Sequence, residues 1–528
     1  MRPALPKVTS VRQCSAGCWA ASRCTPRYSA PDTCCTAGPW RRRSPSVSRR
    51  QLRSACSESF PVSASTEPRA TGFAAIREAL HGTEQDFTTG SLNRAVLLLA
   101  IPMMLEMAGE SLFAVVDAFF VARLGAEALA AVGITETVLE IMYAIAIGLG
   151  MSVTAMVARR IGEHDERAAA RTAVQAIWVG LAVSILFGVA GAIWAPDVLR
   201  LMGADQATVA GGATYTRILY GSMPVILFLF VNNAIYRGAG DAAMAMRSIW
   251  IANSINIVLD PLFIFGIGPF PEMGLPGAAV ATVIGRSIGV LYQFHGLSRG
   301  ARLRVTRADV RFELDVILRL LRVSAGGILQ MLVATASYIG LIRILATFGS
   351  TVLAGYVIAI RVVIFIILPS WGLANAAATL VGQNLGAEQP DRAERAVWVT
   401  GLWNMAFMAV ITVLFVAFAG PIVRIFTADP ETARVGETAL RIISYGYVLY
   451  AWGMVILQAF NGAGDTWTPT WVNLIAFWLV QIPLAWFLAH VVGIGHEGVY
   501  WAIAVSYSLS ALIGLVLFRR GKWKLKQV

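Results

Sequence analysis

Arg237-Gly238-Ala239-Gly240-Asp241 and Asn461-Gly462-Ala463-Gly464-Asp465 are two versions of one segment, 224 residues apart. The same spacing pairs Leu124-Gly125 with Phe348-Gly349, Gly162 with Gly386, Asp205 with Asp429, and Arg217 with Arg441. Soluble solenoids repeat every 20–50 residues or so, roughly a fifth of this period or less. A repeat this long, hydrophobic nearly throughout, reads as two homologous halves that each cross a membrane several times, an organisation typical of secondary transporters. Locally, each Gly-Ala-Gly-Asp segment reads as a tight turn, where glycine accepts positive φ and close helix approach. No Lys-Ser/Thr follows either copy, and no GxxxxGK[ST] occurs in the chain, so ATP does not drive it directly.

Working outward, the 528 residues are 57% hydrophobic and only 14% charged, against about 25% charged in an ordinary soluble domain. Apolar runs of about 20 residues recur from Leu92 to Phe518, long enough to span a bilayer. The pattern predicts an all-α polytopic membrane protein with twelve transmembrane helices in two homologous six-helix lobes. The first lobe has spans near 92–120, 128–157, 171–194, 211–236, 247–268 and 276–296. The second has spans near 316–346, 351–381, 396–419, 435–460, 470–492 and 498–518. The domain limits are then a disordered extension over 1–88, lobes over 89–297 and 323–518, a basic linker over 298–322 and a basic tail over 519–528.

The linker holds Arg299, Arg302, Arg304, Arg307, Arg311, Arg319 and Arg322. With twelve spans it falls on the same side as the Arg159-Arg160 loop and the tail, whereas the loops at 266–276 and 493–498 carry no Lys or Arg. The positive-inside rule places the arginine-rich side in the cytoplasm. Loops around Arg200, Arg217, Arg424 and Arg434 fall outside and weaken the bias without reversing it.

Much of the formal charge of +12 lies in residues 1–70, where eleven Arg and Lys7 face Asp32, Glu58 and Glu67. The remaining basic residues lie mostly between spans, so the charge is not a nucleic-acid footprint. All six cysteines (Cys14, Cys18, Cys24, Cys34, Cys35 and Cys56) sit in this stretch, at spacings that match no usual zinc or redox site. Arg- and Ser-rich and acid-poor, the stretch reads either as an organellar transit peptide or as sequence upstream of the true start. The first reading implies an organellar membrane, the second a bacterial inner membrane. The transport body has no cysteine, its histidines are scattered, and no metal site or cofactor is expected.

The chemistry is expected from ionisable residues within spans, because an Asp at a helix centre costs about 2.5–3.5 kcal/mol on insertion scales. Asp117 lies eight residues before Gly125, and Asp260 six residues before Gly266. Asn253, Asn256 and Asp260 follow i, i+3, i+7 spacing and form one polar stripe. Pro261 cannot donate to the carbonyl of Ile257, which leaves an acceptor free near Asp260. A carboxylate, amides and a freed carbonyl suit a proton or a small cation. At the 224-residue spacing Asp117 becomes Leu341 and Glu106 becomes Gln330, so the scaffold is duplicated and the carboxylates are not. Ion coupling therefore belongs to the first half. Glu106 and Glu110 lie one turn apart and either line a cavity or sit at a helix contact. Arg361 is an intramembrane cation in need of a partner, with Glu136 or Glu140 as candidates. Trp452, Tyr445, Tyr447, Tyr450, Phe477 and Trp478 read as an interfacial belt more readily than as a pocket.

Taken together, Val116-Asp117-Ala-Phe-Phe-Val-Ala-Arg-Leu-Gly125, Arg-Gly-Ala-Gly-Asp241 and Asn256-Ile-Val-Leu-Asp260-Pro261-Leu-Phe-Ile resemble the multidrug and toxic compound extrusion (MATE) family, over about residues 90 to 518. The Asp-Pro-Leu-Phe-Ile segment is most similar to its prokaryotic DinF-like branch. The resemblance implies an efflux antiporter for cationic or amphipathic small molecules, exchanged for protons or sodium, working as a monomer in the bilayer. It implies that Asp117 and Asp260 couple the ion with Asn256 beside them, that Tyr215 and Asn233 are polar positions around that site, and that the first span bends at Pro102. Phe230 departs from an Asn found in some members, and the second half lacks the acids of the sodium-coupled branch, which favours protons. Asn253, Glu110 and Arg361 complete the expected cavity. A lipid or lipid-linked glycan flippase is the alternative, disfavoured because the cavity is acidic. No paired His or Ser–His set occurs within spans to suggest an enzyme.

Overall fold

The computed structural model describes residues 72–82, 85–300 and 302–526. The cysteines and the transit-like stretch lie outside these residues. The described chain is helical with no β-strand. It begins with α1 (Gly72–His81). The first lobe then comprises α2 (Leu92–Val121), α3 (Ala126–Gly162), α4 (Glu166–Ile193), the short α5 (Ala195–Leu201), α6 (Gln206–Gly221), α7 (Met223–Ala239), α8 (Ala242–Phe265) and α9 (Leu275–Arg299). The second lobe comprises α10 (Leu314–Ala346), α11 (Ser350–Gly386), α12 (Pro390–Arg424), α13 (Pro430–Ser444), α14 (Tyr447–Gly462), α15 (Trp467–Val491) and α16 (His496–Arg519).

Ten of these helices are long and apolar enough to cross a membrane singly, and the pairs α6–α7 and α13–α14 bring the crossings to twelve. Those two pairs occupy the spans expected over 211–236 and 435–460, and within them the chain bends by 44° at Ser222 and by 56° before Tyr447. Pro224 explains the first break, since it enters at the second residue of α7 and supplies no N–H to the preceding turn. The bends recur at equivalent places, so they belong to the repeat. Outward faces are apolar, with Leu186 and Val413 each 67% exposed, as lipid contact requires.

Three boundaries differ from expectation. The extension was expected to reach residue 88, but α1 is helical, Arg94 pairs with Glu78 at 2.9 Å, and Phe87 is fully buried beneath the Arg302 guanidinium at 4.9 Å. The connection between lobes is shorter than 298–322, because α9 runs to Arg299 and α10 starts at Leu314. The tail is not loose: Trp523 is buried, and Lys524 reaches Glu394 at 2.6 Å and Asp391 at 3.2 Å.

The two Gly-Ala-Gly-Asp segments are helix punctuation. Gly240 has φ +85° and Gly464 has φ +81°, and Asp241 caps α8 by accepting from the Met244 amide at 3.1 Å. The repeat extends to single hydrogen bonds. Arg217 donates to the Ala192 carbonyl and Arg441 to the Val416 carbonyl, both at 3.2 Å and 224 residues apart at each end.

The lobes meet along a seam with the same symmetry. Gly148 of α3 lies on Gly327-Ile328 of α10, and Gly372 of α11 lies on Met103-Met104 of α2. Gly162 lies on Gln383, and Gly386 on Arg159. Each contact is the image of its partner at the 224-residue spacing, and a methyl group at any of these four glycines would overlap main-chain atoms across the seam. Hydrogen bonds reinforce it: Thr379 donates to the Arg237 carbonyl and Gln383 to the Gly238 carbonyl, both at 3.0 Å. The seam runs from the middle of the helices to their arginine-rich ends.

Candidate functional site

Above the seam the lobes enclose a cavity of about 420 Å³. Its two walls differ in chemistry. The first lobe contributes Glu106, Glu110, Asp117, Glu136 and Glu140 together with Arg237 and Arg286, whereas the second contributes Leu368, Trp371, Asn375, Ala378, Gln458 and Asn461, none of them charged. Tyr215, Tyr143 and Phe230 line it as well, with the Tyr143 and Phe230 rings 5.6 Å apart.

Helical spacing explains the charged wall. Glu106, Glu110 and Asp117 follow i, i+4, i+11 along α2, and Glu136, Glu140 and Tyr143 follow i, i+4, i+7 along α3, so each set lies on one face. At the floor, Glu106 is 1% exposed and binds Arg237 at 2.7 Å, while Asn233 donates to the same oxygen at 3.0 Å. The Asn233 carbonyl oxygen in turn accepts from Gln293 at 2.6 Å and Ser248 at 3.2 Å. Glu106 is thus both cavity wall and helix contact, the two readings left open by its sequence. Removing one member of such a buried pair costs about 3–5 kcal/mol.

Asp260 does not line the cavity. It is fully buried behind the wall, where Asn256 donates to it at 3.2 Å and to Thr282 at 3.0 Å. Thr282 itself faces the cavity. Asp260 Oδ2 and Asn256 Oδ1 have no hydrogen-bond partner, so two buried acceptors are held ready for a donor or a cation. The helix runs unbroken through Pro261, as α2 does through Pro102. Asp117 and Asp260 are electrostatic neighbours, as are Asp117 and Glu136.

Two expected cavity residues stand elsewhere. Asn253 is buried and donates to the Gly109 carbonyl at 3.1 Å, and with Trp250, which donates to the Leu105 carbonyl at 3.0 Å, it ties α8 to α2. Arg361 is exposed and absent from the lining. It forms no ion pair among the described residues, although Glu136 feels its charge. The aromatic set is also redistributed: Tyr447 is fully buried and Tyr450 stacks on Tyr507 at 4.0 Å, so these belong to the second lobe's core rather than to a belt. Tyr445 remains exposed and stacks on Trp501.

Arg286 lines the cavity although it was not among the expected site residues. It lies within a span expected over 276–296, where a lone Arg is as costly as an Asp, and that cost was the available signal. Asn375, Gln458 and Asn461 form a hydrogen-bonded amide chain on the second lobe's wall, with Asn461 donating to Gln458 at 2.7 Å. No group of three His, Cys, Asp or Glu residues among those described could hold a metal ion.

Comparison with known proteins agrees with this architecture. The MatE family model matches twice, over residues 102–262 and 327–487. A protein described as probable multidrug resistance protein YoeA, from Bacillus subtilis, is 26% identical over 83% of this chain and 96% of its own. Solved structures of MATE in the straight and bent conformations superpose with TM-scores of 0.78 and 0.77, at 27% and 26% identity. They cover 84% and 85% of this chain and 98% of their own.

Proposed function

Because the chain belongs to the MatE family, we propose that it is a secondary active antiporter that exports cationic or amphipathic small molecules in exchange for protons by alternating access. The observation that carries this reading is the pairing of Asp117, on the cavity wall, with Asp260, sealed behind it with an unpartnered oxygen. One carboxylate is placed to meet substrate and its neighbour to hold a proton. The relative named a probable multidrug resistance protein supports the substrate class.

In this reading the arginine-rich ends are cytoplasmic, so the sealed seam makes the present state outward-facing. A cationic substrate in the cavity is held by Asp117 and its carboxylate neighbours. A proton arriving from outside neutralises Asp117 or Asp260, which removes the charge that favoured the substrate, and the substrate leaves. Helix α2 then bends at Pro102, whose missing N–H leaves the Leu98 carbonyl without its intrahelical donor. Only the first lobe has carboxylates facing the cavity, and this favours protons over a sodium site built from the second lobe. Four carboxylates on the same wall, Glu110, Asp117, Glu136 and Glu140, would repel the double negative charge of a pyrophosphate, which weighs against a lipid-linked glycan flippase.

The test is dye efflux from proteoliposomes holding the full chain, with a pH gradient and a sodium gradient imposed separately. Efflux driven by the pH gradient and lost in both Asp117→Asn and Asp260→Asn is expected. Efflux driven only by sodium would overturn proton coupling. Unchanged efflux in well-expressed Asp117→Asn would remove that residue from the mechanism.

A further inference from the structure

Arg286 is the cavity's unexplained charge. It is 7% exposed, it reaches the cavity from α9, and its guanidinium lies over the Phe113 ring at 5.5 Å. One donor, Nη1, makes a long hydrogen bond of 3.3 Å to the Tyr143 hydroxyl. Its Nε has no partner, and it forms no ion pair with any carboxylate among the described residues. Glu110 and Asp117 feel its charge without closing on it.

Arg237 shows what a structural arginine looks like in the same lobe: a 2.7 Å ion pair with Glu106 and its backbone carbonyl bonded across the seam. A guanidinium has five donors in a planar fork that matches a carboxylate or phosphate. Keeping it in a buried site with one weak partner is costly unless an anion completes it. The surroundings also fix the far side of that anion. Glu140 and Glu136 lie three and seven residues from Tyr143 on the same face of α3, about 5 and 10 Å along the helix. Phe113, Tyr143 and Phe230 form apolar walls between.

We propose that Arg286 is the anion subsite of the cavity, and that the substrates bound best are aromatic zwitterions. Their carboxylate or phosphate docks on Arg286 and their ammonium faces Glu140 and Glu136. A simple cation meets a fixed positive charge beside Asp117, whereas a zwitterion matches both ends of the site. This deepens the efflux reading and rests on the cavity being the substrate site.

The experiment compares a zwitterionic xanthene dye that carries an aromatic carboxylate with its methyl ester, which has the same ring system and no anion. Binding is read by fluorescence anisotropy on the full-length protein in detergent, without a gradient, and efflux is read separately in proteoliposomes. Wild type should bind the zwitterion about tenfold more tightly than the ester, the size of one charge-assisted hydrogen bond. In Arg286→Met that ratio should fall to about one, and Arg286→Lys, which keeps a point charge without the planar fork, should fall between. A wild-type ratio of one or below overturns the proposal and needs no variant to fold. A ratio equal in all three proteins overturns it as well. Absence of efflux for both dyes counts against the antiport reading, while the binding ratio still decides the role of Arg286.

Discussion

The two lobes share a fold and differ in what they hide. Inside the first are Glu106 with Arg237, Asp260 with Asn256, and the solitary Arg286. Inside the second, Tyr356 stacks on Tyr500 at 6.0 Å, Tyr450 on Tyr507, and Ser370 donates to Asn404 at 2.8 Å. At the 224-residue spacing the Glu106–Arg237 ion pair becomes Gln330 and Asn461, and Asp117 becomes Leu341. Residues that shape the backbone were kept in both copies: the glycines of the seam, the capping aspartates and the arginines that clasp carbonyls. The charged residues that line the cavity stand in one. The difference separates scaffold from chemistry without any alignment of relatives.

The largest test of that separation moves a carboxylate between lobes. Asp117→Asn should abolish gradient-driven efflux while leaving thermal unfolding in detergent within a few degrees of wild type. Leu341→Asp should do the reverse, because Leu341 is 3% exposed in an apolar cluster where an unpaired charge costs several kcal/mol. Its unfolding midpoint should fall sharply. Equal behaviour of the two variants would break the comparison.

A smaller effect is expected at the cavity floor. Glu106→Ala should destabilise the protein by about 3–5 kcal/mol by stranding the Arg237 charge, and Gln330→Ala by about 1–2 kcal/mol as a neutral amide is lost. The double variant Glu106→Gln with Arg237→Asn, which copies the second lobe's residues into the first, should recover much of the loss. Denaturation followed by intrinsic tryptophan fluorescence reads all of these.

The seam should respond symmetrically. Gly148→Ala and Gly372→Ala each push a methyl group into main-chain atoms across the interface, at Ile328 and at Met103. Both should open the sealed end, and to equal extents. Thiol labelling of a cysteine placed at Thr379, which lies in the seam, should accelerate by the same factor in each; a marked inequality would show that the seam is not functionally symmetric.

The smallest effect lies at the helix starts. Hydrogen bonds from Thr208 hold the Asp205 carboxyl below its ordinary value of 3.8, and those from Thr432 do the same for Asp429. A carboxylate whose folded-state pKa is depressed contributes stability that is present above its unfolded pKa and lost as pH falls through the folded one. Asp205→Asn and Asp429→Asn should therefore lower the midpoint slightly and equally at pH 7, and the difference from wild type should vanish at pH 2–3. Circular dichroism melts at the two pH values read this.

The sequence carried the repeat, the number of crossings, and both Asp117 and Asp260, because each of these leaves a linear trace: a period, a run of apolar residues, a charge inside such a run. It did not carry the partners. Glu106 meets Arg237 across 131 positions, and nothing local to either residue announces the other. Asn253 looked like cavity lining because spacing shows which face of a helix is polar, but not whether that face meets a void or the carbonyl of Gly109. The breaks at Ser222 and before Tyr447 were hidden by hydropathy, which is continuous through both bends. Residues 72–88 read as extension because α1 has no apolar run of its own and the stretch is held by contacts made far along the chain, such as Arg302 donating to the Gln85 carbonyl and Arg392 to that of Phe87.

The paired glycine contacts of the seam have one further consequence. Gly148 touches the residue pair whose image touches Gly372, so the same patch meets itself across an approximate twofold axis. That is an isologous interface, the kind through which two identical subunits form a closed dimer. A six-helix unit with this surface is complete as half of such a dimer. Joining two units in one chain releases each copy from having to present the same side chains, and here every charged residue lining the cavity comes from the first half.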